Sequence, residues 1–430
     1  MLWTLRVRGT FAVLILLSAC SSSVLVVPDG ATPLEPDAAA LPPVRPDCTR
    51  LGQSRTASIA LFDAFVESKD VDAFLADVAK NGGAPLEDPK SDRVVFVVRG
   101  APPAGPWSIA GSFTNWKTNA KPMTAVAKDL FVLDIPIPRK DGAQPYKLLS
   151  GTLDSGFRED PLAQNVAWDG IDRKTVGEFN AIAHAGEAPL AKGRITRWPN
   201  VSSPAGARDV FTYFPPRYDD GSCARVPVML VHDGNESLTR GDFASVVDAQ
   251  IVLFPELAQP VLVFVALPSQ DIRLDEYTFN TQTATGSAYV GFLASDLLPR
   301  VRSSFHVCAA QAATGIAGAS LGGLISVYAA FEKPQVFGFV GSQSGSFFWD
   351  NESLVLRAQQ TPKIPVRFYL DHGCPNDNCD SNRDMNAALA AKNYDVMHVE
   401  DPGAQHDWSF WKNRLPKLLH DFALEAKCEK

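Results

Sequence analysis

The strongest constraint on the fold is a change of rhythm after residue 207. From there, strand-like runs at 210–214, 226–232, 261–267, 314–317, 337–343, 366–371 and 395–399 alternate with helical stretches. Such alternation implies a largely parallel sheet with helices on both faces. No segment recurs at a fixed period, which excludes a solenoid or propeller. At about 100–200 residues per domain, the 430-residue length predicts more than this one unit. With 46% hydrophobic and 20% charged residues, the chain has the composition of folded soluble domains rather than of a disordered or polytopic protein. The net charge is -8 and no dense basic run occurs, so nucleic acid is not an expected partner.

Upstream the pattern differs. Residues 56–80 place Phe62, Phe65, Phe74, Leu75 and Val78 at helical spacing with a break near 68–72, predicting two short helices. From Arg93 the period changes to two, and short runs separated by Pro, Gly, Asn and Asp predict a small β-sandwich. A linker is expected near residues 185–207. The expected organisation is therefore a signal segment (1–19), a tether (20–47), a helical lead-in (48–90), a β-sandwich (91–190) and an α/β unit (191–430).

Arg6 and Arg8 precede an apolar stretch, 11–17, too short to span a bilayer, which together read as a secretory signal. It ends Leu17-Ser18-Ala19-Cys20, a run that resembles a bacterial lipobox. Lipidation of Cys20 would anchor the chain to a membrane, and several acyl chains hold where one would be marginal. Six prolines between residues 28 and 46 make an extended tether. Export into an oxidising compartment favours disulfides among the remaining cysteines. Cys374 and Cys379 are close enough to close a local loop, with a metal site around His372 as the competing use of the same residues.

The chemistry centres on Gly318-Ala319-Ser320-Leu321-Gly322-Gly323, between a short strand and a helix running from about residue 321 to 331. Glycines flanking Ser320 permit a tight strand-turn-helix elbow that exposes the serine, and the Leu321 N–H points to where an oxyanion would form. His406, after the last predicted strand, is the expected base. The acid should come from the loop after 366–371, where Asp377 is the expected residue and Asp380 its alternative. Gly234 and Asn235, after the strand at 226–232, are candidates for a second oxyanion N–H.

Two family resemblances follow. Residues 109–116, Tyr146-Lys147 and Asp160-Pro161 resemble early-set domains related to glycogen-binding modules. Sugar stacking there would need exposed aromatics, and only Trp116 offers itself, so Trp116 is expected to pack in the core or a seam. Residues 228–234, Arg273-x-x-Glu276-Tyr277, 318–323, 342–349 and 403–411 resemble the enterochelin (ferric-siderophore) esterase branch of the esterase D-like α/β hydrolases. The resemblance departs at the two cysteines of the 373–382 loop and at Gln405, beside the histidine.

That resemblance implies an α/β hydrolase preceded by an early-set sandwich, and a serine esterase without metal or organic cofactor. It also implies the disulfides Cys223–Cys308 and Cys48–Cys428 beside Cys374–Cys379. Arg273 and the run Phe347, Phe348, Trp349 are candidate contacts for an anionic or aromatic acyl group, with Arg273 alternatively paired to Asp275 or Glu276. The expected substrate is a small-molecule or glycan-linked ester, at the bacterial cell envelope and on the outer-membrane side given Ser21. A feruloyl or acetyl carbohydrate esterase is the alternative. A non-catalytic surface lipoprotein is the third reading, against which stands the presence of both Ser320 and His406.

Overall fold

The computed structural model describes residues 56–428 except 118–120, 152–155, 172–178, 188–191 and 220–223, and the described residues form one compact unit. The signal segment, Cys20, the tether, Cys48 and Cys223 lie outside the described residues. Among the described residues no helix is long and apolar enough to cross a membrane.

The chain enters through α1 (Ala60–Ser68) and α2 (Val71–Lys80). Left-handed Lys69 breaks them, and the Asp70 side chain caps α2 by accepting from the Ala73 N–H. Phe62, Phe65, Phe74 and Val78 pack on Val95 and Val97 of the strand Arg93–Arg99, while Val94, Phe96 and Val98 face a second core. The expected alternation is therefore absent there: Val94 to Val98 are all buried, because the two helices cover the face that would otherwise meet water. This strand belongs to a four-stranded sheet with Leu86–Glu87, Leu130–Pro136 and Thr124–Ala127. Trp116 packs beside Ala110 and Leu149 and edge-on to Phe157, so its ring is used internally.

The remaining upstream strands do not end at a linker. Asn165–Trp168 pairs with the strand Arg194–Ser203, and one sheet continues into the second half of the chain. The expectation of a linker at 185–207 is corrected accordingly. Its polar look comes from residues that are satisfied inside: Arg197 is buried and donates to Glu159 Oε2 and to the Asp160 and Ala163 carbonyls.

The α/β half is built on β1 (Arg194–Ser203), β2 (Gly206–Phe214), β3 (Val228–Val231), β4 (Val261–Val265), β5 (Thr314–Ala319), β6 (Phe339–Gln343), β7 (Arg367–Cys374) and β8 (Val396–Pro402). Their order is β8-β7-β6-β5-β3-β4-β2-β1. Strands β3 to β8 run parallel, and β2 is antiparallel to β1 and β4. Leu230, Val263 and Ile316 enter one core while Met229, Val231, Leu262 and Phe264 enter another. Both faces are covered, so β3 and β4 are apolar at every position, each such side chain adding roughly 1.5–3 kcal/mol on full burial. Three helices matter for the site: α3 (Leu321–Glu332), α4 (Cys379–Ala391) and α5 (Trp408–Glu425). Helix α5 lays Leu415, Leu418, Leu419 and Phe422 on the sheet.

Cys374 is bonded to Cys379, and Cys308 to Cys428. The second bond overturns the pairings Cys223–Cys308 and Cys48–Cys428. Cys308 does lie beside the lead-in to β3, its N–H donating to the Val226 carbonyl. However, α5 runs back along the sheet and delivers Cys428 to that same end, where its Sγ also meets the Arg225 carbonyl. The bond spans 120 residues, and closing so long a loop restricts the unfolded chain by about 4–5 kcal/mol in the chain-entropy account.

Candidate active site

Strand β5 ends in the elbow. Ser320 sits at φ 60, ψ -121, a region that a residue with a side chain enters at a cost of about 1–3 kcal/mol and that clusters at functional sites. A Cβ on Gly318 would lie 2.8 Å from the Gly322 carbonyl carbon, so only glycine lets strand and helix approach this closely. The turn is stapled to the end of β6: the Ser320 N–H donates to the Gln343 carbonyl, and the Ser320 carbonyl accepts from the Ser346 N–H.

The loop after β8 then brings His406 to the elbow. Ser320 Oγ donates to His406 Nε2 at 2.8 Å, and His406 Nδ1 donates to Asp377 Oδ1 at 2.7 Å. Asp377 is fully buried, whereas Asp380 is exposed and lies 3.9 Å from Arg383. The structure thus brings Ser320, His406 and Asp377 together and leaves Asp380 out. Gln405 points to solvent and donates to the Gly403 carbonyl, so its insertion before the histidine does not disturb the contact.

A buried polar network fixes the acid. Asp377 Oδ2 accepts from Ser344 Oγ (2.6 Å), the Gly373 N–H (2.7 Å) and Arg414 Nη2 (3.1 Å). Arg414 also donates to Asp371 and to Ser344 Oγ, and Trp411 Nε1 donates to the same hydroxyl. Burial alone would raise the Asp377 pKa, but the bonds from His406, Ser344 and Gly373 and the Arg414 charge outweigh it and hold it below the usual carboxylate value. For Asp371 burial prevails over Arg414, and its pKa is raised. An ionised carboxylate against Nδ1–H fixes the imidazole tautomer that leaves Nε2 free to take a proton. Ser346 Oγ lies 3.3 Å from Ser320 Oγ, a second hydroxyl on the same atom.

Ser344 and Ser346 fall in the 342–349 segment and Asp371 ends the 366–371 run, but the sequence assigned no role to them or to Arg414. Arg414 carried a usable signal: it falls among Trp411, Leu415 and Leu418, on the face of an amphipathic helix where a charge must find a buried partner.

The remaining candidates divide. Leu321 opens α3, where first-turn N–H groups lack helical acceptors. Gly234 and Asn235 open a short helix (Gly234–Leu238) after β3, next to the elbow: a Cβ on Gly322 would lie 3.3 Å from Asp233 Oδ2. Gly234 is glycine for a different reason than substrate approach, since its Cβ would lie 2.7 Å from the Ala266 nitrogen at the end of β4. Arg273 pairs with neither Asp275 nor Glu276 but clamps Asp233 through Nε (2.7 Å) and Nη2 (2.8 Å). Its guanidinium is thereby used in holding the loop after β3. Phe347 is fully buried, Trp349 donates to the Phe279 carbonyl, and Phe348, 54% exposed, is the one of the three with a face to offer a ligand.

His232, at the end of β3, is fully enclosed beside Tyr277 and Tyr289, with Nδ1 at 2.9 Å from the Tyr289 hydroxyl. Burial first, then the Arg273 and Arg208 charges, push its pKa down to about 3. The unfolded chain therefore takes up this proton first as pH falls below about 6.5. The stability that neutral His232 confers is complete above that pH and declines toward pH 3 by up to about 1.4 kcal/mol per pH unit. In urea unfolding between pH 7 and 4, His232→Gln is expected to lose stability less steeply than the parent. Parallel losses would show that His232 is not held neutral.

Similarity of the chain to known proteins is found at three levels. A sequence model of the family described as "Putative esterase" matches residues 202–422, just over half of the 430-residue chain. The uncharacterized protein YbbA of Bacillus subtilis (strain 168) is 28% identical over 179 residues, covering 39% of this chain and 69% of that protein. Among solved structures, a ferulic acid esterase superposes with a TM-score of 0.48 at 19% identity over 54% of this chain and 99% of its own. The enterobactin esterase of Shigella flexneri, solved in the presence of enterobactin, superposes with a TM-score of 0.46 at 18% identity over 77% and 92%.

Proposed function

The chain belongs to this esterase family, and on that premise we propose that it is a serine esterase working through an acyl-enzyme. The observation that carries the reading is the continuous relay from Ser320 through His406 to Asp377, with contacts of 2.8 and 2.7 Å. In this mechanism Ser320 Oγ bonds to the ester carbonyl carbon while His406 Nε2 takes its proton. The oxyanion rests on the N–H groups of Leu321 and of Gly234 or Asn235. Collapse of the intermediate breaks the carbon–oxygen bond to the alcohol, which leaves with the proton from His406. Water then gives a proton to His406 and attacks the acyl group, and Ser320 Oγ leaves with that proton as the carboxylic acid departs. Asp377, held ionised, stabilises the imidazolium in both halves of the reaction. His406 handles every proton transfer, so the reading invokes no cofactor.

We read the acyl group as aromatic, of the catecholate kind found in siderophores. The support is the motif resemblance set out above and exposed Phe348, two residues beyond the Ser346 that touches Ser320. The Arg273 clamp on Asp233 removes the cation first considered for an anionic acyl group. The lipobox-like run ending at Cys20 supports a post at the cell envelope. The test is a panel of p-nitrophenyl acetate, a catecholate siderophore ester, and feruloylated and acetylated oligosaccharides. The reading expects turnover of the simple ester and the highest kcat/KM on the catecholate. A preference for the sugar esters would make the protein a carbohydrate esterase, and no turnover of any would leave a binding lipoprotein.

A further inference from the structure

A second cluster of reactive side chains lies on the last two strands and has no part in the relay. In the parallel register of β7 and β8, Leu370 pairs with His398 and His372 with Glu400. Side chains alternate along a strand, so His372, His398 and Glu400 project from one face of the sheet. There, His372 Nε2 lies 3.0 Å from His398 Nε2 and 3.9 Å from Glu400 Oε2. His372 is fully buried, and its Nδ1 lies 3.1 Å from the Gly373 carbonyl. Nδ1 therefore donates, the tautomer is fixed, and a bare Nε2 lone pair faces the second imidazole.

A shared proton is one way to join two such nitrogens, and a metal ion is another. Two imidazole nitrogens at about 2.0–2.1 Å from a tetrahedral Zn2+ stand about 3.3 Å apart, so the present spacing needs only a few tenths of an ångström of opening. Glu400 is held by Arg383 at 2.8 and 2.7 Å, but that pair is at the rim, where ion pairs are weak and exchange readily. Cys374 and Cys379 also come within 4.8 Å of His372 and Glu400, yet their mutual bond withdraws both sulfurs from the donor set.

We propose that His372, His398 and Glu400 bind one divalent transition-metal ion of the Zn2+ class, clamping β7 to β8. Two imidazoles and one carboxylate are a donor set for such an ion rather than for Ca2+ or Mg2+, which take oxygen ligands. The site sits one residue from Gly373, whose N–H holds Asp377 Oδ2. The ion thus braces the strand end that anchors the acid and takes no part in ester chemistry, and the proposal stands independently of the esterase reading.

The test is a Zn2+ titration, against a competing indicator dye, of chelator-stripped full-length protein without reductant, with folding of every variant checked by circular dichroism. One ion per chain is expected. His398→Gln and Glu400→Gln should each weaken binding by roughly tenfold or more. Arg383→Gln should tighten it, because it releases Glu400, and no merely structural role would give that sign. Absence of saturable binding would overturn the proposal, as would affinity unchanged in His398→Gln. If His398→Gln fails to fold, the exposed Arg383→Gln decides alone, and unchanged or weaker binding there would overturn it.

Discussion

Ser320→Ala is expected to lower kcat on p-nitrophenyl esters by roughly a hundred-thousandfold or more while KM stays within a few-fold. In the proposed mechanism Oγ is the atom that bonds to carbon, so no other group substitutes for it. Ser346 Oγ lies 3.3 Å from it, but Ser346 is nearly fully buried and does not contact His406 among the described bonds, so it does not inherit the role. The elbow should survive the change, because its geometry rests on Gly318, on the Ser320 N–H donating to the Gln343 carbonyl and on the Ser346 N–H donating to the Ser320 carbonyl. Circular dichroism and the urea midpoint of Ser320→Ala should therefore match the parent within error. A variant that keeps more than about a hundredth of the parent rate would mean that hydrolysis happens elsewhere.

Asp377→Asn is expected to lower kcat by about ten-thousandfold, and Asp380→Asn to leave it unchanged. The amide introduced by Asp377→Asn would face His406 Nδ1 with a donor or a neutral acceptor and could no longer hold the tautomer or stabilise the imidazolium. It would also leave Arg414 with one buried carboxylate in place of two, so some stability should be lost alongside activity. Asp380 is 96% exposed at its side chain, and its removal touches nothing in the site. Steady-state kinetics on the two variants separates them. Equal losses would mean that the loop as a whole, rather than the Asp377 carboxylate, supports the base.

Much of the α/β half was legible because its rhythm is set by strong physics. A strand covered on both faces must be apolar throughout, as in Val228–Val231 and Val261–Val265, and an elbow between strand and helix needs glycine on both sides of the serine. The choice between Asp377 and Asp380 was not legible at the level of residue type. It turns on which carboxylate the loop turns inward toward Ser344 and Arg414, and those partners lie 33 and 37 residues away in sequence.

Cys374–Cys379 forms as its spacing suggests, but the two long-range disulfide pairings failed for a related reason. Neighbouring strands can be inferred from a family's sheet order, but the returning direction of an 18-residue helix decides that Cys428, rather than Cys223, meets Cys308. The strand at Arg194–Ser203 was hidden by Arg197, whose charge looks like surface until Glu159 and two carbonyls are seen around it. Arg273 misled in the opposite sense, since a cation near a serine elbow suggests a substrate anion until its carboxylate partner is known.

The most direct measurement is the covalent intermediate itself. The purified protein is mixed with excess p-nitrophenyl butyrate, quenched in acid within milliseconds to seconds, and digested for peptide mass spectrometry. A butyryl increment is expected on Ser320, accompanying the burst of p-nitrophenol and absent from Ser320→Ala. A burst with the acyl group on another residue, or turnover with no acylated Ser320 at any quench time, would contradict the proposed mechanism.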